Sequence, residues 1–109
     1  KVTEGIKHDN GKARFDLIPP VPLLKLAEVY TFGACKYEDH NWRKGLAYGR
    51  VFGAVMRHLW AFWYGHNNDP ESGLPHLAHA AFGIFALLEY TLHQRSDLDD
   101  RYKVSKAER

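Results

Sequence analysis

Residues 65–79, Gly-His-Asn-Asn-Asp-Pro-Glu-Ser-Gly-Leu-Pro-His-Leu-Ala-His, set dense polar chemistry between two stretches that are otherwise almost wholly apolar. One continuous helix cannot cross them. Gly65 and the Asp69-Pro70 step stop the helix that the aromatic-rich residues 51–64 would form, because the residue before a proline is driven out of the α region. Pro75 suits the first turn of a second helix over residues 74–92, and Ser72 is placed to cap it. In that helix His76 and His79 fall on one face, one turn apart. Carboxylates from Asp69 and Glu71, carboxamides and imidazoles thus gather at a helix start, where phosphate or metal can be held. The plainer alternative is ordinary turn chemistry with a His pair that satisfies its own hydrogen bonds, since a metal site needs ligands beyond two histidines.

The rest of the chain predicts an all-α domain. Residues 1–20 alternate glycine and charge and form an extended, irregular arm; Pro19, Pro20 and Pro22 delay regular structure until a helix begins near residues 21–23 and runs to about residue 37. Leu23, Leu24, Ala27, Tyr30 and Ala34 supply its helical repeat, with Lys25 and Glu28 on the wetter side. A polar loop, His40-Asn41-Trp42-Arg43-Lys44-Gly45, leads to the second helix near residues 47–50. The division is a 1–20 arm, a 21–95 helical core and a 96–109 charged tail, in which Asp97 and Asp100 read as a solvated helix end. Helices two and three are apolar nearly all round, which predicts a homo-oligomer. Ala80, Gly83 and Ala86 make one side of helix three narrow enough for close approach, either by another chain or within the subunit.

Composition narrows the partners. At 109 residues and 45% hydrophobic the chain is a single packed domain, and its formal charge of +2, with acids and bases interspersed, argues against polymeric nucleic acid. One cysteine, Cys35, excludes an internal disulfide; its apolar helical setting predicts a buried, reduced thiol and a cytoplasmic protein. No signal-peptide pattern opens the chain, and His76, His79 and Glu89 interrupt the longest apolar stretch, so no membrane partner is expected.

Several residues carry chemistry that suits a nucleotide. Lys7, Asp9, Lys12 and Arg14 stand on the arm beside Gly5 and Gly11 and can wrap a phosphate, although no Walker loop is present. Lys36, Arg43, Arg50 and Arg57 add cations; guanidinium binds phosphate bidentately, and the alternative is pairing with Glu28, Glu38 or Glu89. Tyr37, Trp42, Tyr48, Trp60, Trp63 and Tyr64 offer rings for base stacking, and Trp42 stands out because it lies in a polar loop. Other signatures are missing. There is no Gly-x-Ser-x-Gly elbow, His8-Asp9 lacks the helical His partners of an HD phosphohydrolase, and no two carboxylates within the helices stand at i,i+3 or i,i+4.

These blocks together resemble a family of small phage and prophage proteins, the dATP/dGTP diphosphohydrolase N-terminal domain. The likeness spans residues 5–90 and rests on Gly5-Ile6-Lys7-His8-Asp9-Asn10-Gly11-Lys12-Ala13-Arg14-Phe15-Asp16-Leu17-Ile18-Pro19-Pro20, on Lys36-Tyr37, Asn41-Trp42-Arg43-Lys44-Gly45 and Arg57-His58-Leu59, and on the run from Asp69 to Ala80. It implies a ligand-binding set of Lys7, Asp9, Lys12, Arg14, Lys36, Asn41, Trp42, Arg43, Arg57, His58, Glu71, His76 and His79. His66 stands where the family pattern has an acid after the glycine, which removes one carboxylate, and the chain ends soon after the third helix, as a binding portion without a catalytic part would. The expectation is therefore a phage protein that sequesters a purine nucleotide or a cyclic or ADP-ribose-type immune signal without hydrolysis, metal or other cofactor. The enzyme alternative is a pyrophosphohydrolase in which Asp69, Glu71, His76 and His79 gather Mg²⁺ or Mn²⁺; a structural phage interaction protein is the third.

Overall fold

The computed structural model describes residues 3–103 of the chain. Three α-helices carry the fold, α1 (Pro20–Lys36), α2 (Tyr48–Trp63) and α3 (His76–Leu92), with short 3-10 turns at Phe15–Leu17, Asn41–Lys44 and Ser96–Leu98. No strand occurs among the described residues; an isolated bridge between Asn68 and Pro75 fastens the polar linker. The expected breaks are where the chain turns. Gly65 sits at φ +101° just past the end of α2, a left-handed geometry that favours glycine, and Pro75 stands at the entry to α3. Ser72 does not cap α3; its side chain is engaged elsewhere.

α2 and α3 form the central pair, and α1 packs against α3. Their seam is narrow because Ala80, Gly83 and Ala86 are all buried in it. A β-carbon added at Gly83 would lie 2.4 Å from Val55 Cγ2, so the small-residue side of α3 receives α2 of the same chain. Tyr48, Val51, Ala86 and Tyr90 build the core at one end, where Trp42, Leu87 and Leu98 close over it. The rings of Tyr48 and Tyr90 stack there with centroids 6.2 Å apart.

Three expectations are corrected. α1 turns Leu26 and Val29 inward, while Leu23, Leu24 and Ala27 face out and Lys25 and Glu28 are half-buried; of the expected repeat, Tyr30, packed on Phe82, and half-buried Ala34 meet the rest of the fold. Cys35 is exposed, because α3 covers only the opposite side of α1. Asp100 does not end a solvated helix: the chain after α3 folds back, and the Asp100 carboxylate accepts the Gly49 backbone N–H at 2.8 Å, satisfying a free donor at the start of α2. Many large apolar side chains on α2 and α3 remain exposed, including Trp60, Trp63, Ile84, Phe85, Leu88 and Leu92. No helix among the described residues is long and apolar enough to cross a membrane.

Candidate functional site

Where the linker meets α3, three imidazoles and a carboxylate converge. His58 comes from the middle of α2, His76 and His79 from the first turn of α3, and Asp69 from the linker. The Nδ1 atoms of His58 and His76 lie 2.9 Å apart. The His58 ring also stacks on His79, with centroids at 4.7 Å and planes 11° apart. One donor atom from each of His58, Asp69 and His76 falls within 4.8 Å of the others.

The linker is built to hold these groups. Ser72 donates its backbone N–H to Asp69 Oδ2 at 3.0 Å, and its hydroxyl oxygen accepts the Leu74 N–H at 3.1 Å. The same hydroxyl lies 2.7 Å from His79 Nε2. Backbone bonds Asp69 to Leu74, Gly73 to Asp69 and His76 to Asn67 pin the loop around it. Electrostatics follow from burial. His58 and His79 are both pushed below the ordinary imidazole value, first by desolvation and then by neighbouring imidazoles, against the pull of Asp69. For Asp69, burial acts upward, but hydrogen bonds from Ser72 and the nearby histidines outweigh it and hold the carboxyl low. At neutral pH His58 and His79 are therefore neutral and Asp69 is ionised, the states in which such groups bind a cation.

His58, Asp69 and His76 are the residues that could hold a divalent metal ion here. A donor set of two imidazoles and one carboxylate suits Mn²⁺, Fe²⁺, Co²⁺ or Zn²⁺ better than Mg²⁺, whose preference is for oxygen.

A cleft of about 580 Å³ opens beside the cluster. Its walls come from the second half of α1, the loop before α2, and Phe82 of α3, and His58, Asp69, Glu71 and His79 line it. Tyr30, Phe32, Tyr37, Trp42 and Phe82 supply aromatic surface. That volume and mix of rings with a few polar groups suit a nucleotide.

The structure brings together only part of the expected set. Lys36, Asn41, Trp42, His58, Glu71 and His79 line the cleft, and His76 is buried behind it. Lys36 Nζ bonds Glu71 at 2.7 Å on the cleft wall, and Glu71 is not among the three clustered donors. Arg43 lies outside the cleft, bonded to Glu89 at 2.7 Å and packed over the Trp42 ring. Arg50 and Arg57 are exposed on α2 without an ion-pair partner among the described residues; Glu38 pairs with Lys44 and Glu28 with Lys25. Lys7, Asp9, Lys12 and Arg14 stand on the exposed arm, away from the cleft. Of the candidate rings, Tyr48 is core, whereas Trp60, Trp63 and Tyr64 are exposed and do not line the cleft. Glu38, Asp39, Tyr30, Phe32 and Phe82 had not been singled out for the site; they reach the cleft through the packing of α1 on α3, which leaves no spacing signal in the chain.

Comparison with known proteins agrees with this region. The sequence profile described as dATP/dGTP diphosphohydrolase, N-terminal, matches residues 2–101. A protein of Salmonella phage PMBT28 named dATP/dGTP diphosphohydrolase is 40% identical over 97 residues, covering 89% of this chain and 33% of the relative. The chain thus spans about a third of the length of that curated relative. No solved structure matches it.

Proposed function

Since the chain belongs to the dATP/dGTP diphosphohydrolase N-terminal family, we propose that its cleft takes a purine deoxynucleoside triphosphate and that the residues beside it hydrolyse it with the help of a divalent metal ion. The observation that carries this is the convergence of His58, Asp69 and His76 from two helices and a loop, with His58 and Asp69 also lining an aromatic-walled cleft. His58, Asp69 and His76 would hold the ion, which when bound supplies positive charge for the phosphates and lowers the pKa of water. Trp42, Tyr37 and Phe82 offer flat apolar surface to the base, and Lys36, already on the cleft wall, meets the phosphate chain.

The reaction is attack of a water oxygen on the α-phosphorus with cleavage of the bond to the bridging α–β oxygen. Nucleoside monophosphate and pyrophosphate leave, and the water proton goes to a base. His79 is the group placed for that role, because burial keeps it neutral at pH 7 and Ser72 fixes its ring. Asp69, accepting from Ser72, stays ionised throughout.

One observation favours the alternative of a protein that holds its nucleotide intact: Asp69 is the sole carboxylate in the three-donor cluster, and Glu71 is paired with Lys36. Incubating the 109-residue chain with dATP or dGTP and Mn²⁺, then separating products by anion exchange, tests the choice. Monophosphate and pyrophosphate in equal amounts, lost in Asp69→Asn, are expected. Triphosphate recovered whole from a saturated protein would instead establish retention without hydrolysis.

A further inference from the structure

α3 has three sides, and the fold uses two of them. His76 and Gly83 face α2, where they meet His58 and Val55, while His79 and Phe82 face α1, where they meet Phe32 and Tyr30. The remaining side carries Leu77, Ala81, Ile84, Leu88 and Thr91, an alternation of four and three residues that keeps one face of a helix in line. Leu77, Ile84 and Leu88 stay 44%, 51% and 52% exposed there. This is not the narrow side formed by Ala80, Gly83 and Ala86, which α2 of the same chain fills.

α2 repeats the pattern on the same side. Val51 and Val55 point at Gly83, and His58 turns from that seam toward the cleft, where α1 lies. The next residue along a helix is rotated by about 100°, so Leu59 falls on the other flank of the seam. Phe52, Met56 and Trp63 share that flank, again at spacings of four and three. The helices run antiparallel, with His58 level with His76 and Tyr48 with Tyr90, which sets Leu59 level with Leu77 and Phe52 with Ile84. The two stripes merge into one apolar face, on the side of the helix pair away from α1 and the cleft.

The face is large and carries no charge. Phe52 and Trp63 are 55% and 75% exposed. With the α3 stripe they leave roughly 600–700 Å² of apolar surface in water, above the ~300–600 Å² of the largest patch on an ordinary monomer and near the ~800 Å² per partner of a standard stable interface. The core is correspondingly unfinished: no large side chain among the described residues is fully buried.

Charge decides what can cover this face. The chain's own arm is a poor occupant, because Glu4, Lys7, Asp9, Lys12, Arg14 and Asp16 would be pressed against a surface that offers none of them a partner. A strongly acidic or basic partner fails for the same reason. A second copy brings an identical uncharged face, and an antiparallel helix pair with a four-three stripe on both helices is self-complementary about a two-fold axis. Two such pairs close into a four-helix bundle whose apolar side chains interdigitate.

We propose that two copies pair through this face, with Phe52, Leu59, Ile84 and Leu88 at its centre and the two clefts opening outward on the far sides. Each cleft is complete within one copy, and the pairing does not depend on what the cleft binds.

Light scattering of the chain at micromolar concentration should give twice the 12.6 kDa of one copy. Ile84→Glu and Phe52→Glu, each placing a charge in the seam, should give the mass of one copy with helical circular dichroism retained. Leu24→Glu, at a 56% exposed site on α1, should stay paired. A second probe avoids charged variants: in a Cys35→Ala background, Leu88→Cys should react with a maleimide at least tenfold more slowly than Cys35 does in the wild type, although both sites are exposed in one copy. A wild-type chain with the mass of one copy overturns the pairing and leaves the face to a different protein or to a further part of a longer chain. Three copies per particle, a pair that survives both seam variants, loss of the pair in Leu24→Glu, or equal labelling rates overturn it as well.

Discussion

The Nδ1 atoms of His58 and His76 face each other at 2.9 Å across the α2–α3 seam, with Asp69 brought alongside by the linker. Neutral imidazoles in that arrangement share a single proton between two acceptors or share a cation. Burial, and then the neighbouring rings of His79 and His76, disfavour protonation of His58.

Stability should therefore rise with pH across the histidine range. His58 and His79 have lowered values in the folded chain and titrate near 6.5 when unfolded. Between the two, the unfolded chain binds more protons, so stability is full above about pH 6.5, falls as the pH drops through that value, and levels off below the folded ones. Asp69, lowered on folding, loses its contribution as the pH falls through its own folded value. Melting temperatures from pH 8 to pH 5 should fall, and His58→Gln or His79→Gln should flatten the slope; a melting temperature that climbs toward pH 5 contradicts the assignment.

Ser72 positions His79 without belonging to the three-donor cluster. Its hydroxyl contacts His79 Nε2, whereas Asp69 is held in part by the backbone N–H of the same residue, which Ser72→Ala preserves. This variant should lower kcat for triphosphate hydrolysis by about tenfold or more, as loss of a supporting hydrogen bond commonly does, and change Mn²⁺ affinity little. Ser72→Thr, which keeps the hydroxyl, should recover most of the rate. Equal kcat in Ser72→Ala and wild type would remove the role given to His79.

Gly83 marks the point where α3 allows α2 closest. Gly83→Ala puts a β-carbon 2.4 Å from Val55 Cγ2 and should destabilise the chain by about 1–3 kcal/mol, the usual range for overpacking a core. Thermal or urea unfolding checks this. Val55→Ala in the same chain should cost less than it does alone, because the clash and the cavity offset each other; additive losses would place the strain elsewhere.

Much of this architecture is legible in the chain because its punctuation is local. Gly65, Asp69-Pro70 and Pro75 act on their own backbones, so the helix breaks around the linker follow from sequence, as does the shared face of His76 and His79. His58 is different. Its pairing with His76 depends on the register of α2 against α3, which Gly83 and Val55 set at long range. The inward face of α1 was misread for a related reason: Leu23, Leu24 and Ala27 are as apolar as Leu26 and Val29, and only the position of α3 distinguishes them. Leu98 and Asp100 looked like solvated tail because nothing nearby in sequence announces the core and the α2 start that they reach.

Titration of the metal-free chain with Mn²⁺, followed by loss of the free-ion electron paramagnetic resonance signal, tests the central claim most directly. One ion per chain is expected, with affinity reduced at least tenfold in each of His58→Ala, Asp69→Asn and His76→Ala while circular dichroism remains that of a helical protein. Absence of binding to the wild-type chain, or an affinity unchanged in all three variants, would contradict a metal centre formed by α2, the linker and α3.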